Sequence, residues 1–307
     1  MAAEPVHTAL LPAVPPFSLA ASLRALSSFA PCAGDQLVMD DRVRKAFPLA
    51  AGEAAVAEVS ARADDAPGVA LTVYASRQLT SGEATATELG VRRWLSLDDD
   101  LAPFLALARR DPAMRPILAA THGLHQVRFA SLAEGTVYFT LTQRSTQWYA
   151  AARKRRIATE LGARLTVDGV TYLAFPDFPS LSTVDFDRFA GNAARGSRVA
   201  EVVRGVAALD EEWLRTAPYP EARDALLSVR GVGTFTAHAL LLRVLGRPDA
   251  VPLEMAQFTG VAETVYGAPP PTPAELREWY GPYVGWWAYL SRMGLGWLTR
   301  DGLTSAA

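Results

Sequence analysis

Short apolar stretches separated by turn residues make up the first third of the chain. Alternation of apolar and polar positions predicts four strands, at residues 36–39, 42–47, 54–61 and 69–75. Ahead of them, leucines recur at helical spacing behind Ser18, whose side chain can cap a helix that Pro31 ends. The pattern predicts a small antiparallel sheet with a helix beside it. The proline-rich residues 1–17 are expected to be a flexible lead-in.

From Asp98 onward, apolar residues recur at helical spacing instead. Helices are predicted at residues 101–108, 133–141, 146–161, 182–190, 198–209 and 220–229. The short apolar stretch at residues 170–175 is expected to be extended. Strands followed by helices predict an α+β fold, with a β-rich antiparallel-sheet lobe at residues 18–97 and a mainly helical domain at residues 98–300. Trp148 is expected on the buried face of its helix.

The composition narrows the class of protein. Half of the 307 residues are hydrophobic, but the apolar runs are far shorter than the roughly 18 residues that a membrane span needs. A single cysteine, Cys32, excludes an internal disulfide framework, a Cys-rich zinc site and a four-Cys iron–sulfur cluster. The histidines lack metal-ligand spacing, so no metal site is expected. With no secretory signal at the N-terminus, we expect a cytoplasmic protein.

The near-neutral net charge of −2 conceals an uneven distribution of charged residues. Residues 125–204 carry 11 basic and 7 acidic side chains, between two mildly acidic flanks. The run at residues 153–156, Arg-Lys-Arg-Arg, supplies much of this excess. A solvated helix face and an attraction to nucleic-acid phosphates explain the run equally well.

The most informative motif is a tight turn between two helices. Apolar Leu226 and Leu227 end one helix, Gly231 and Gly233 follow, and another apolar helix begins at once. Two glycines leave backbone amides bare at the N-terminus of the second helix, where the helix dipole favours an anion such as phosphate. The alternative is a turn required only for packing. Further on, Pro252 is predicted to start a helix with Glu254 in its first turn, where the dipole favours the ionised carboxylate.

Residues 227–237 and 251–254 together resemble the hairpin and catalytic segment of the helix-hairpin-helix (HhH-GPD) DNA glycosylase superfamily. This superfamily includes 3-methyladenine DNA glycosylase II and 8-oxoguanine glycosylase. Upstream, residues 141–146 resemble its Gln-containing stretch, which inserts into DNA near the lesion. Downstream, residues 283–289 resemble a motif of its alkylation-repair branch. The resemblance implies excision of a damaged base, of the 3-methyladenine type, from double-stranded DNA by a nucleoid-associated, monomeric enzyme.

The resemblance also implies roles for particular residues, and Glu254 takes the position of the catalytic carboxylate. The residues implied to contact DNA are Gly231, Gly233, Thr234, Thr236, Gln143, Arg144 and Ser145. The residues implied to line the base pocket are Phe235, Trp286 and Met255. No cofactor is expected, although a monovalent cation can bridge hairpin carbonyls in the family. The single cysteine separates this chain from the iron–sulfur members.

Two departures from the family pattern affect the expected chemistry. Phe235 stands where bifunctional members carry a nucleophilic Lys, so a monofunctional enzyme is expected, one that only hydrolyses the glycosidic bond. Glu254 replaces the usual Asp, which places the carboxylate one methylene further out. Two alternatives stay open: a lesion-binding protein that keeps the hairpin without activity, and a hairpin that serves protein interaction.

Overall fold

The computed structural model describes residues 4–32, 35–64 and 66–304. Its N-terminal part is an antiparallel sheet of five strands in the order β1-β5-β4-β3-β2. The strands are β1 (His7–Pro12), β2 (Gln36–Val38), β3 (Arg42–Pro48), β4 (Ala54–Ser60) and β5 (Gly68–Tyr74). The four strands predicted from alternation are confirmed within two residues at each end.

Strand β1 corrects the prediction of a flexible lead-in over residues 1–17. It pairs with β5 from His7 opposite Val73 to Pro12 opposite Gly68. The prolines favoured a mobile segment, but the pairing with β5 satisfies the backbone of the edge strand, and Leu11 is buried in the core. The first three residues of that segment lie outside the described residues.

Two helices flank the sheet, and only the first was predicted. In α1 (Leu19–Ser27), Ser18 caps the N-terminus as expected and accepts a hydrogen bond from the Ala21 amide. Helix α2 (Ser81–Leu95) has a weak apolar stripe, so the spacing of apolar residues did not predict it. Its capping box, in which Thr80 and Glu83 bond to each other's backbone, is a sequence signal that could have revealed it.

Helices dominate the rest of the chain. Their bounds are α3 (Ala102–Ala108), α4 (Arg115–Ala120), α5 (Leu132–Leu141), α6 (Gln147–Leu161), α7 (Phe178–Leu181), α8 (Asp187–Ala190), α9 (Ala193–Ala207), α10 (Glu211–Thr216), α11 (Tyr219–Ser228), α12 (Thr234–Arg243), α13 (Ala256–Tyr266), α14 (Pro273–Tyr280) and α15 (Val284–Thr304). The α+β class is therefore confirmed. Within the described residues, no helix has the length and apolar character of a membrane span.

Two predicted helices differ from the structure. The helix expected at residues 182–190 is replaced by the one-turn helices α7 and α8, because Asp177 and Asp185 accept hydrogen bonds from local amides and start separate turns. The helix expected at residues 198–209 begins earlier, at Ala193, where the side chain of Asn192 caps it.

A second, two-stranded sheet consists of β6 (Ala163–Val167) and β7 (Val170–Ala174). It confirms the extended stretch predicted at residues 170–175 and adds a partner strand. The hairpin packs on the larger sheet, where Val167 and Tyr172 join Ala46 and Val56 in one buried cluster.

Two larger hydrophobic cores organise the molecule. The first, core A, joins the larger sheet, α1 and α2 to α15 and includes Leu11 and Trp297. The second, core B, lies among α5, α6, α9, α11 and α12. Phe139 and Leu240 belong to core B.

A buried charge cluster lies beside core B. Lys154 of α6 is 1% exposed and forms ion pairs with Asp35 and, at 2.6 Å, with Glu134. Burial alone would raise the pKa of Glu134, but the Lys154 ammonium lowers it to about 2. Neither reading of the basic run at residues 153–156 holds for Lys154, which is neither solvated nor available to phosphate. Arg156 is exposed and pairs with Glu160 at 2.7 Å, as expected for a solvated helix face.

Candidate DNA-binding and active site

The glycine motif forms a tight hairpin between α11 and α12. Its backbone reverses at residues 229–233, where the Val232 amide donates to the Val229 carbonyl at 3.0 Å. Gly233 is the N-cap of α12, and no side chain caps that helix. Because the first amides of a helix have no intrahelical acceptor, the exposed N-terminus of α12 can bind an anion.

The two glycines serve different purposes. Gly231 has φ +94, and a Cβ there would lie 2.8 Å from the Val202 side chain, so both conformation and packing require glycine. Gly233 has φ −100, which any residue adopts, and a Cβ there would meet nothing within 4 Å. Neither backbone conformation nor packing in the folded chain therefore requires a glycine at position 233. Bare backbone at an exposed helix N-terminus is suited to close approach by a phosphate.

Gln143 joins the predicted DNA-inserting loop to the hairpin. Its Nε2 donates to the Gly231 carbonyl at 2.8 Å and to Thr236 Oγ1 at 3.2 Å. Thr236 is 2% exposed, so its side chain bonds to Gln143 and is not available to phosphate. Thr234, at the start of α12, is exposed. The structure thus brings the two predicted DNA-contacting segments together, with Gln143 connecting them.

The loop itself presents polar and aromatic groups to solvent. Arg144 is exposed and has φ +52, an uncommon conformation for a residue with a Cβ. The Ser145 amide donates to the Thr142 carbonyl at 3.1 Å, which closes the turn. Trp148 is 79% exposed, so its predicted burial is wrong. Thr146 caps α6, and its side chain accepts a hydrogen bond from the Tyr149 amide.

The hairpin carbonyls can also accept a cation. The carbonyls of Val229 and Gly231 each accept one hydrogen bond, from the Val232 amide and from Gln143. A carbonyl oxygen has two lone pairs, so each keeps one for a further partner. These oxygens are the groups that would hold a monovalent ion at the hairpin.

A cavity of about 220 Å³ lies between core A and core B. It exceeds the roughly 150 Å³ cavity known to hold a benzene ring, so a single flat base can enter it. Several aromatic side chains line it, from five separate segments of the chain: Phe29, Phe129, Tyr138, Phe139, Phe235 and Phe258. Aromatic faces are suited to stacking against a planar ring.

Two of the polar side chains at the cavity are arginines, which only donate hydrogen bonds. Arg243, at the end of α12, stacks on Phe29 at 4.8 Å and on Tyr289 at 4.9 Å, measured to the ring centroids. Arg292 of α15 and Gln147 of α6 also line the cavity. Burial lowers the pKa of His238, whose Nδ1 bonds to the Tyr219 hydroxyl at 2.7 Å. Sequence reasoning did not place any of these residues at a cavity, because they come from distant segments of the chain.

Glu254 lies in a turn and not in a helix. The prediction that Pro252 starts a helix is wrong, since α13 begins at Ala256 with Met255 as its N-cap. Val251 and Leu253 are buried, and the Leu253 amide donates to the Val251 carbonyl at 2.9 Å, which holds a tight turn instead. Glu254 does not line the cavity, but its carboxylate interacts electrostatically with His238, which does, so Glu254 lies near the rim.

The Glu254 carboxylate is ionised at neutral pH. Its side chain is 62% exposed and accepts a hydrogen bond from Arg277 of α14. This hydrogen bond lowers the pKa of Glu254 below its usual value. An ionised carboxylate near the cavity can stabilise positive charge that develops on a sugar outside it.

The three residues expected to form the base pocket lie in different places. Phe235 lines the cavity. Met255 is 38% exposed and does not line it. Trp286 is buried in core A, stacked on Tyr283 with ring centroids 5.6 Å apart, and does not reach the cavity. Helical spacing shows that Trp286 faces inward, but not which interior space it faces.

Comparisons with known proteins bear on this fold. No protein-family model matches the chain. Among curated relatives, a DNA-3-methyladenine glycosylase of Bacillus subtilis is 24% identical over 205 residues, covering 65% of this chain and 68% of the relative. A probable bifunctional transcriptional activator/DNA repair enzyme AlkA of Mycobacterium tuberculosis is 29% identical over 164 residues. That match covers 52% of this chain and 33% of the mycobacterial protein.

Solved structures match a larger share of the chain than these relatives do. A 3-methyladenine DNA-glycosylase from Archaeoglobus fulgidus superposes with a TM-score of 0.74 at 17% identity, over 94% of this chain and 98% of that one. A Clostridium acetobutylicum 8-oxoguanine glycosylase/lyase superposes with a TM-score of 0.66 at 16% identity, over 96% and 99%. The chain has the fold of the helix-hairpin-helix DNA glycosylases and resembles them in sequence, as its hairpin motif predicts.

Proposed function

We propose that this chain is a DNA glycosylase of base excision repair. It extrudes a damaged base from double-stranded DNA and hydrolyses its N-glycosidic bond. The observation that carries the proposal is the placement of both functions on one helix: α12 begins at the exposed hairpin and lines the cavity with Phe235 and His238. A phosphate held at Gly233 would therefore lie within one or two helical turns of the cavity.

The relatives support the substrate class. The Bacillus and Archaeoglobus proteins are named as 3-methyladenine glycosylases. Extrusion costs a few kcal/mol and is easiest for damaged bases, which favours an enzyme that acts on lesions. We propose a monomer acting on one lesion at a time, with alkylated bases as the first class to test.

The residues present define the steps of the reaction. The extruded base stacks in the aromatic cavity against Phe235. Departure of the base leaves positive charge on the sugar, which the ionised Glu254 stabilises from the cavity rim while it orients a water for attack. The longer Glu side chain places its carboxylate further from the backbone than Asp would. Hydrolysis by this route needs no cofactor, and the hairpin cation would only support phosphate binding.

The lysines favour a monofunctional enzyme. A lyase step needs an amine that forms a Schiff base with the sugar. The chain holds two lysines, Lys45 and Lys154, which are 4% and 1% exposed. Neither lines the cavity, and Phe235 occupies the position where a nucleophilic Lys would stand.

Duplexes that each carry one modified base test the proposal. Incubation with the protein followed by alkali should cleave the strand at the lesion, and without alkali the strand should stay intact. Because Glu254 stabilises the transition state, Glu254→Gln should lower the rate by about 100-fold or more, whereas Glu254→Asp should keep measurable activity. Glu263→Gln, an exposed carboxylate on α13, is the matched control and should leave the rate unchanged.

Two results would contradict the proposal. Binding of lesion duplexes without any abasic product would support a lesion-binding protein instead. Strand cleavage without alkali, with borohydride trapping of a protein–DNA adduct, would show a lyase and refute monofunctionality.

A further inference from the structure

His238 has one ring nitrogen that the protein binds and one that it does not. It lies on α12 one helical turn after Phe235, and both side chains line the cavity. The ring is half-buried, and its Nδ1 lies 2.7 Å from the Tyr219 hydroxyl. Within the described residues, Nε2 has no hydrogen bond. That nitrogen is therefore available to a partner that the folded chain does not itself supply.

The hydrogen bonds of Tyr219 determine which nitrogen of His238 carries the proton. The hydroxyl donates to the Ala250 carbonyl at 3.1 Å, since a carbonyl oxygen can only accept. A hydroxyl has one proton, so at Nδ1 it accepts, and Nδ1 carries the hydrogen. Burial raises the pKa of Tyr219, so the hydroxyl keeps its proton. In the neutral ring, Nε2 therefore holds a lone pair, which can take up a proton but cannot donate to a phosphate.

Tyr219 also links His238 to the segment that carries Glu254. Ala250 lies four residues before Glu254, so the Tyr219 hydroxyl joins α12 to the start of that segment. The Glu254 carboxylate and the His238 ring interact electrostatically. A carboxylate and a neutral base therefore lie near each other at the rim of the cavity.

The charged groups around this imidazole keep it neutral before the reaction. Burial is the main cause of its lowered pKa, and the guanidinium groups of Arg223 and Arg277 lower that pKa further. The Glu254 carboxylate acts in the opposite direction. Arg243 and Arg292 line the same cavity and add no negative charge. Glu254 is therefore the group that would stabilise an imidazolium formed here, and the surrounding positive charge favours prompt release of the proton.

We propose that His238 Nε2 accepts a proton from the water that attacks C1′, while Glu254 stabilises the sugar cation. The inference rests on the proposed glycosylase function and assigns one of its steps. When the C1′–N bond breaks, its electron pair stays on the base, so a cationic methylated purine leaves neutral. The water oxygen then bonds to C1′, one water proton moves to Nε2, and the imidazolium releases it to solvent. Because the Arg277 hydrogen bond lowers the pKa of Glu254, that carboxylate is a weak base and suits charge stabilisation better.

Release of 3-methyladenine from duplex DNA treated with dimethyl sulfate measures this reaction. The protein is in excess, and release without protein is subtracted. His238→Gln keeps a polar side chain but cannot take up a proton. We expect its rate at neutral pH to fall by about 100-fold, the lower end of general-base effects, because a sugar cation reacts readily with water. His122→Gln, at an exposed histidine outside this cavity, is the matched control and should leave the rate unchanged.

Three further measurements separate proton transfer from a structural role. The wild-type rate should rise between about pH 5 and pH 7 as His238 loses its proton, and His238→Gln should lack this rise. Added imidazole should restore part of the rate of His238→Ala, whereas sodium chloride at the same ionic strength should not. Duplex binding by His238→Gln in fluorescence anisotropy should match the wild type, because Nε2 does not donate to phosphate. Thermal unfolding checks that both variants fold.

The outcomes separate this inference from the proposed function. An unchanged rate in His238→Gln would overturn the role of His238 while leaving a glycosylase. A slower His238→Gln with the wild-type pH dependence, together with no imidazole rescue of His238→Ala, would do the same. Weaker duplex binding with an unchanged rate would show a phosphate contact instead. Absence of 3-methyladenine release by the wild type would refute the proposed function for alkylated bases, and the inference with it.

Discussion

Replacement of Lys154 by methionine should destabilise the fold strongly. The ammonium lies 2.6 Å from Glu134 and also pairs with Asp35, and both Lys154 and Glu134 are 1% exposed. Methionine fills similar space but leaves two carboxylates buried without a cation. Breaking a buried pair in this way costs about 3–5 kcal/mol of unfolding free energy. Because the Lys45 ammonium also lowers the pKa of Glu134 and stays in place, we expect a loss near the lower end of that range.

Urea unfolding followed by tryptophan fluorescence measures this loss. The double variant Lys154→Met/Glu134→Gln should be more stable than Lys154→Met alone, because it removes one of the two uncompensated charges and leaves only Asp35. Arg155→Met, the exposed neighbour on α6, should change stability by less than about 0.5 kcal/mol. A decrease of less than about 1 kcal/mol in the unfolding free energy of Lys154→Met would refute the reasoning. A double variant whose decrease exceeds the sum of the decreases in the two single variants would also refute it.

The same cluster predicts sensitivity to acid. The folded-state pKa of Glu134 is about 2, below the usual value of 4.5. A carboxylate with a lowered pKa contributes stability that is present above the unfolded pKa and is lost as the pH falls through the folded value. Wild-type stability should therefore decline between about pH 4.5 and pH 2, and Glu134→Gln should flatten that decline.

The remaining predictions concern the hairpin and the carboxylate. Gly231→Ala should destabilise the protein by about 1–3 kcal/mol in urea unfolding, because of its positive φ and the contact with Val202. Gly233→Ala should unfold like the wild type but bind duplex DNA more weakly in fluorescence anisotropy, and unchanged affinity would argue against phosphate at that position. Arg277→Gln should raise the pKa of Glu254 and move the acid limb of the pH–rate profile to higher pH. An unmoved limb would show that this hydrogen bond does not control the reacting carboxylate.

Periodicity and local motifs were sufficient for most of the fold. Strand alternation located β2 to β5, and the cap at Ser18 located the start of α1. The wrong secondary-structure predictions lie where contacts with distant parts of the chain override the local sequence preference. Strand β1 lies in a proline-rich segment but pairs with β5, and residues 251–253 bury their apolar side chains and turn before α13 can begin.

The candidate site was predicted in part, for a physical reason. A hairpin is a local structure, so Gly231 and Gly233 could be found from their spacing. The cavity is not local: Phe29, Tyr138 and Arg292 meet there from segments more than 100 residues apart. Helical spacing separates buried from exposed faces, but it could not show that Trp286 lies in core A or that Lys154 is buried.

The position of the cavity between two cores has a consequence for the order of folding. Core B draws mainly on residues 129–245, whereas core A needs both β1 and α15. Contacts between segments that distant in sequence form slowly, and domains generally fold as the chain emerges during synthesis. The hairpin belongs to the segment that builds core B, so we expect it to take shape first. The cavity is complete only when α15 docks, so we expect the hairpin to form before the cavity does.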